Sequence, residues 1–178
     1  MINLAPPHLK LAGFARGARS ILFTAKGGGR LKNMRSLRGM SVVVDARPVG
    51  RVLQVCLSTD LKRMDGIWID AGVKGVRFID AERVSVIGSR AIIADERGER
   101  VRIKPNQLFL RAVSTAGQRL GAVVGAEIDE VSLTVVNLIL SLGYLEDLTR
   151  GELRVDDYAY DAENRRVVIP EALIDSEV

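Results

Sequence analysis

The sequence predicts an all-β protein made of two small antiparallel β-barrels in tandem, with short helical turns and a flexible N-terminal arm. Short runs rich in Val and Ile and separated by turns are typical of small barrels, because β-branched side chains pack well on a pleated sheet. The hydrophobic pattern of the first half recurs in the second half. We therefore divide the chain into a basic arm with a Gly-rich linker (1–34), a first barrel (35–104) and a second barrel (105–178).

The first barrel is predicted from a series of short strands. A long hairpin, Val49–Thr59 with Met64–Ala71, occupies its centre, and the polar residues between the two runs form its turn. Charged or Gly-containing turns separate the shorter runs on either side. Those flanking strands are Ser41–Val44, Val76–Ile79, Val84–Ile87 and Ala91–Ala94. Short strands at such regular spacing favour a small barrel or sandwich.

The second barrel is predicted from a strand at Leu108–Val113 and a second long hairpin, Leu120–Ile128 with Leu133–Leu142. A shift of 71 residues places Gly50 on Gly121, and it also matches apolar residues with apolar residues along both hairpins. Under this shift Leu53, Val55, Leu57, Met64, Ile67, Trp68 and Ile69 fall on Val124, Ala126, Ile128, Val135, Leu138, Ile139 and Leu140. This agreement in pattern indicates an internal duplication.

Several short segments carry a resemblance to a known family. In the first half these are Leu37–Val43, Pro48–Val52 and Phe78–Ile93, and in the second half Gly117–Val123, Arg150–Val155 and Arg166–Pro170. Together they resemble the PRC-barrel pattern of an opening strand, a turn into a long hairpin, and a closing pair of strands. The resemblance covers about residues 35–95 and 108–170.

The resemblance implies a small β-barrel that serves as a scaffold for protein–protein interaction. The family includes the cytoplasmic domain of the photosynthetic reaction-centre H subunit and the C-terminal domain of the ribosome-maturation factor. This sequence is expected to lack the membrane helix of the first and the separate N-terminal barrel of the second. The stand-alone members of the family are therefore the nearest match.

The inventory of reactive side chains argues against catalysis. Cys56 is the single cysteine and His8 the single histidine. One thiol forms no internal disulfide and no zinc site of several thiolates, and one histidine near the N-terminus leaves no Ser-His-Asp triad in the body of the chain. We therefore predict a protein that is not an enzyme and has no metal or cofactor.

Three local motifs receive ordinary structural interpretations. The Gly27–Gly29 run lacks the downstream Gly-Lys-Ser/Thr of a phosphate-binding loop and is interpreted as a linker. The thiol of Cys56 is expected to be half-exposed and incidental, because its duplicate position is Glu127. An acidic cluster is interpreted as the solvated face of a strand, since it lacks EF-hand spacing. That cluster comprises Asp156, Asp157, Asp161 and Glu163, around Tyr158 and Tyr160.

Trp68, the only tryptophan, is a candidate interaction residue. It lies between Ile67 and Ile69, so it points outward if these two isoleucines point inward. An outward tryptophan is a common anchor of protein interfaces. The alternative, which stays open, is a strand buried on both faces by the neighbouring barrel.

Charge is distributed unevenly along the chain. Residues 1–44 carry a net charge of +8 with no acidic residue, residues 45–120 carry +5, and residues 121–178 carry −9. The basic arm could bind RNA or an anionic surface through its cations. Its candidate residues are Arg16, Arg19, Lys26, Arg30 and Lys32, with Lys10 further upstream. The alternatives are a solvated arm, or an over-extended gene start whose true initiator is Met34.

These observations favour a cytoplasmic, non-catalytic adaptor that binds an unidentified protein partner. No run approaches the roughly 18 apolar residues of a membrane-spanning helix. The alternative function is an RNA- or ribosome-associated factor that uses the basic N-terminal region. The opposite charges of the two ends would also permit head-to-tail self-association into a homo-oligomer.

Overall fold

The computed structural model describes residues 30–100, 110–143, 147–149 and 151–171. These residues form mostly β-strands with a few short helical turns, which confirms the all-β prediction. The predicted arm up to Gly29, including the Gly27–Gly29 run, lies outside the described residues. The described strands form two curled sheets of seven strands each.

The first sheet comes from the first half of the chain. Its strands are β2 (Ser41–Val44), β3 (Arg47–Leu57), β4 (Met64–Asp70), β5 (Val76–Asp80), β6 (Val84–Ile87), β7 (Ala91–Ala94) and β8 (Glu99–Arg100). Their order across the sheet is β6-β7-β2-β3-β4-β5-β8. Neighbouring strands are antiparallel except β2 and β7, which are parallel. Short 3₁₀ turns at Gly72–Lys74 and Ala81–Arg83 connect the strands.

The second sheet comes mainly from the second half. Its strands are β9 (Leu110–Ser114), β10 (Arg119–Asp129), β11 (Val135–Ser141), β12 (Leu153–Val155), β13 (Ala159–Asp161) and β14 (Arg166–Ile169). Their order is β12-β11-β10-β9-β14-β13, and here the parallel pair is β9 with β14. If β2 to β7 are matched in turn with β9 to β14, the two sheets have the same strand order and directions.

The central hairpins agree residue by residue. All six Cα pairs between β3 and β4 have a counterpart between β10 and β11 under the shift of 71 residues. Arg51 opposite Asp70, for example, becomes Ala122 opposite Ser141. Both hairpins contain two bulges, and the bulges fall at equivalent positions. The two predicted hairpins are thus confirmed, with their registers in common.

A glycine in each hairpin allows the backbone of the next strand to come close. A Cβ atom on Gly50 would lie 2.5 Å from the carbonyl oxygen of Asp70, and one on Gly121 would meet the carbonyl oxygen of Ser141 at an even shorter distance. Only glycine fits such an approach without a shift of the backbone. Asp70 and Ser141 are themselves equivalent under the shift, so the same constraint operates in both sheets.

The N-terminal side of the described chain joins the second sheet. Residues Leu31–Asn33, which the sequence groups with the arm, form β1 and pair with β10 from Glu127 to Asp129. The Asn33 side chain accepts a hydrogen bond from the Arg35 amide and caps the short helix α1 (Met34–Leu37). A chain that began at Met34 would lack both this strand and this cap. Local periodicity cannot predict β1, because its partner lies almost a hundred residues away.

The two halves share their cores. One buried cluster lies mainly under the first sheet and the other under the second. Leu61, from the turn of the first hairpin, packs in the second cluster, whereas Ile128 of the second hairpin packs in the first. The Tyr158 hydroxyl donates to the Leu61 carbonyl at 2.9 Å. Burial of Tyr158 raises its pKa to about 12.

The turns of the two hairpins also bind each other. Arg63 and Thr134, which are equivalent under the shift of 71, form an antiparallel bridge. On either side of it, the Met64 amide donates to the Leu133 carbonyl and the Val135 amide to the Lys62 carbonyl, each at 2.9 Å. The two hydrogen bonds are also equivalent under the shift. The contact between the halves therefore has approximate two-fold symmetry.

Candidate interaction face

Trp68 lies on the outer face of the first sheet. Its neighbours Ile67 and Ile69 point into the first core cluster and are fully buried, so Trp68 points the other way. The indole ring is half-buried and contacts the ring of Phe78 on β5, with ring centroids 5.2 Å apart and planes inclined by 55°. Tilted aromatic pairs at this distance attract each other beyond the effect of burial. The pair forms a fixed aromatic surface across β4 and β5.

Gly66 makes room for this aromatic pair. A Cβ atom at Gly66 would lie 2.6 Å from Cζ of Phe78, so the phenyl ring rests directly against the backbone of β4. Glycine within a strand lowers stability, and it often marks a close approach of another group. Here two groups approach, the Ile79 carbonyl of β5, which is the nearer, and the Phe78 ring.

Cys56 lies on the same face, beside Trp68. Burial raises the pKa of the Cys56 thiol to about 11, and the neighbouring Trp68 side chain acts in the opposite direction. The thiol is half-buried and free, as the sequence predicts. A protonated thiol is a weak nucleophile, so this environment favours a packing role for Cys56.

Four exposed carboxylates surround the aromatic pair on the same face. Glu99 on β8 is paired with Phe78. Asp80 lies two residues after Phe78 on β5, and Asp70 lies two residues after Trp68 on β4. Asp65 acts electrostatically on Cys56. None of the four forms an ion pair with another residue in the described part of the chain. We call the set Cys56, Trp68, Phe78, Asp65, Asp70, Asp80 and Glu99 the aromatic face.

The equivalent positions of the second sheet carry mostly polar side chains, and the counterpart of Trp68, Ile139, is fully buried. Cys56, Gly66, Trp68 and Phe78 correspond to Glu127, Asn137, Ile139 and Arg154. The Glu127 carboxylate accepts hydrogen bonds from Asn137 at 2.8 Å and from Arg154 at 2.9 Å. Burial acts to raise the pKa of Glu127, but these hydrogen bonds outweigh it and hold the pKa below its usual value. The second sheet therefore neutralises its own carboxylate at this position.

Of the basic candidates, the structure describes Arg30 and Lys32. Lys32 lies on β1 at the second sheet, where its ammonium group is 3.7 Å from the Glu130 carboxylate. The carbonyl of Arg30 accepts a hydrogen bond from the Glu130 amide. Arg16, Arg19 and Lys26 lie outside the described residues, as does Lys10.

The acidic cluster near the C-terminus is divided between different structures. Asp156 and Asp157 lie in a bend between β12 and β13. The sequence-based interpretation of the cluster as the face of one continuous strand is therefore wrong. Asp161 accepts hydrogen bonds from Asn164 and forms an ion pair with Arg166 at 2.8 Å. Over the described ranges, no three His, Cys, Asp or Glu side chains come together in a way that could hold a metal ion.

Lys62 and Tyr158 show a cation–π contact in this molecule. The ammonium group of Lys62 lies 3.5 Å from the centroid of the Tyr158 ring. Burial lowers the pKa of Lys62, although the carboxylates of Asp157, Asp60 and Asp156 act in the opposite direction. The contact joins the two halves of the chain, so we interpret it as a structural contact.

A shallow depression on the second sheet contains few functional groups that could bind a ligand or act in catalysis. It is lined by Arg119–Ala122 and Ser141–Gly143. These residues provide one guanidinium and one hydroxyl group, with no carboxylate, thiol or imidazole. Where the structure describes the chain, no helix is long and apolar enough to cross a membrane.

The sequence predicted Trp68 as a candidate interaction residue but did not predict the rest of the aromatic face. Phe78 and the four carboxylates were not among the candidates, because their approach to Trp68 depends on the pairing of β4 with β5 and β8. The glycine at position 66, in the middle of an apolar strand, was the available signal. No family model matches this chain, and no curated protein matches it.

Proposed function

We propose that this chain is a non-catalytic adaptor of the PRC-barrel type that binds a partner protein through the aromatic face. The observation that carries the proposal is the Trp68–Phe78 pair on the outer side of a sheet whose other side already covers a core. Solvent-facing tryptophan is enriched at the centres of protein interfaces. We place this adaptor in the cytoplasm, in keeping with its free thiol.

The repeated architecture supports the PRC-barrel assignment and the duplication. The two sheets have the same strand order, the same parallel pair and hairpins in the same register. Such agreement is expected when one barrel-forming unit has been duplicated within a chain. The two copies differ at equivalent positions, where Trp68 is partly exposed and Ile139 is fully buried, so we assign partner binding to the first copy.

The chemistry of the aromatic face supports a binding role over a catalytic one. Burial keeps the Cys56 thiol protonated near neutral pH. The single histidine, His8, lies outside the described residues, and the carboxylates of the aromatic face are exposed. Exposed carboxylates suit electrostatic recognition better than general acid–base catalysis.

The test is a comparative capture of proteins from an extract of the source cell by the full chain. We compare the wild type with Trp68→Ala and with Arg154→Ala, which changes the residue equivalent to Phe78 on the second sheet. Proteins retained by the wild type and by Arg154→Ala but lost with Trp68→Ala support the proposal, provided that circular dichroism shows both variants folded. Capture of the same proteins by all three chains, or of none by any chain, contradicts it.

A further inference from the structure

The aromatic face carries an excess of negative charge. It carries four exposed carboxylates without an ion-pair partner among the described residues. Strands β3, β4, β5 and β8 place one cation on this face, Arg51, and its guanidinium donates to the carbonyl of Gly39 at 3.2 Å. An aromatic pair within a group of carboxylates attracts a lysine or arginine, through the ring faces and through charge.

The second sheet shows how such a position is filled from within. Arg154 occupies the place of Phe78 there and binds the Glu127 carboxylate. On the first sheet the arginine is absent and aromatic rings take its place. A cation that pairs with the carboxylates of the first sheet would therefore come from another part of the chain or from another molecule.

The geometry points to residues 1–29 of this same chain as the occupant, and we propose that this segment docks on the aromatic face through its lysines and arginines. The segment contains Lys10, Arg16, Arg19 and Lys26 and no acidic residue. It also contains apolar side chains such as Leu9, Leu11 and Phe14, which could cover the aromatic rings. Its charge and its apolar content thus complement the same surface.

The attachment of the segment makes docking feasible even for a weak contact. Residue 30 lies at the start of β1, and 29 extended residues can span about 90 Å, several times the radius of a domain of this size. A tethered segment has an effective concentration on the order of 1 mM. A contact with a dissociation constant near that value would therefore be occupied about half of the time.

This inference rests on the proposed function only in treating the aromatic face as the surface that a partner also uses. The docked segment would then compete with that partner. Docking itself can be measured on the purified full chain without any partner. Its failure therefore remains distinguishable from failure of the capture experiment.

Trp68 is the only tryptophan of the chain, so its fluorescence reports directly on this face. We measure acrylamide quenching of the full chain and of a variant with Lys10→Gln, Arg16→Gln, Arg19→Gln and Lys26→Gln. The matched control removes four exposed cations elsewhere, by Arg38→Gln, Arg90→Gln, Arg111→Gln and Arg119→Gln. Both variants change the net charge equally, and circular dichroism checks that each is folded.

At low salt we expect the acrylamide quenching constant of the arm variant to be at least about twice that of the wild type, because its indole ring is uncovered. The control should behave as the wild type. At about 1 M salt, where charges act over only about 3 Å, the wild type should approach the arm variant. Equal quenching of wild type and arm variant at low salt overturns the proposal. Protection that increases with protein concentration would assign the segment of a second copy and also overturn docking within one chain.

Discussion

The Cys56 thiol connects burial on the aromatic face with the pH dependence of stability. Burial raises its pKa from 9.0 to about 11 in the folded chain. Between these pH values the folded state keeps a proton that the unfolded state has lost. The free energy of unfolding therefore falls as the pH rises through this window, and the contribution is fully present below pH 9.

Replacement of Cys56 by alanine is expected to remove this part of the alkaline destabilisation. Urea unfolding of wild type and Cys56→Ala would be measured from pH 8 to 11. Any packing cost of the substitution should be constant below pH 9, and the difference between the two curves should shrink from pH 9 to 11. Tyr158 titrates above its usual pKa in both chains, so its effect cancels. Curves that stay parallel over the whole range would show that the thiol is not buried as described.

At the scale of the strands, the hairpins depend on glycines where two backbones approach. Gly50→Ala and Gly121→Ala would each place a methyl group against a backbone carbonyl that cannot move without a shift of the strand. We expect each substitution to lower the free energy of unfolding by about 1–3 kcal/mol. Urea denaturation of the full chain measures this change.

Gly125 supplies the matched control on the same strand as Gly121. A Cβ atom there would lie 3.6 Å from its nearest neighbours, which are side-chain atoms of Arg35 and Ile139. Gly125→Ala should therefore change stability by no more than about 0.5 kcal/mol. If Gly50→Ala and Gly121→Ala were as well tolerated as Gly125→Ala, the close approach of the strands would be wrong.

The elements also show what a sequence can predict here and what it cannot. Alternation of apolar residues and the turn residues were enough to locate both long hairpins and their offset of 71 residues. Pairing between distant strands, such as β1 with β10 or the parallel pair β9 and β14, depends on tertiary contacts that local patterns do not contain. Trp68 could be chosen because alternation directs it outward, whereas its contact with Phe78 follows from the pairing of β4 with β5.

At the scale of the whole molecule, the exchange of core residues predicts that the two sheets unfold together. Leu61 belongs to the first half of the sequence but packs in the second cluster. Leu61→Ala should cost about 2–5 kcal/mol, because it leaves a cavity in that cluster. Because each core cluster contains residues of both halves and the hairpin turns bind each other, the substitution should lower the stability of both sheets.

Two probes separate shared from independent unfolding. Trp68 fluorescence follows the first sheet, and far-ultraviolet circular dichroism follows all strands. In Leu61→Ala the midpoints of both transitions should move to the same lower urea concentration. Val131, which is 75% exposed in the turn of the second hairpin, provides the control. Val131→Ala should leave the free energy of unfolding from both probes within about 0.5 kcal/mol of the wild-type value. A fluorescence transition that stays at the wild-type position while the dichroism transition moves would show that the halves are independent.

The pairing of β1 with β10 has a consequence for the order in which the protein can be completed during translation. Leu31 leaves the ribosome long before Asp129, its partner in the second sheet. At about 5–20 residues per second, the almost one hundred intervening residues take roughly 5–20 seconds to synthesise. The strand pairs of the first sheet need no residue beyond Arg100, but its core cluster is complete only when Ile128 has been synthesised. Strand β1 can pair only after β10 has been synthesised. One of the first described segments to be synthesised is therefore among the last to reach its final position.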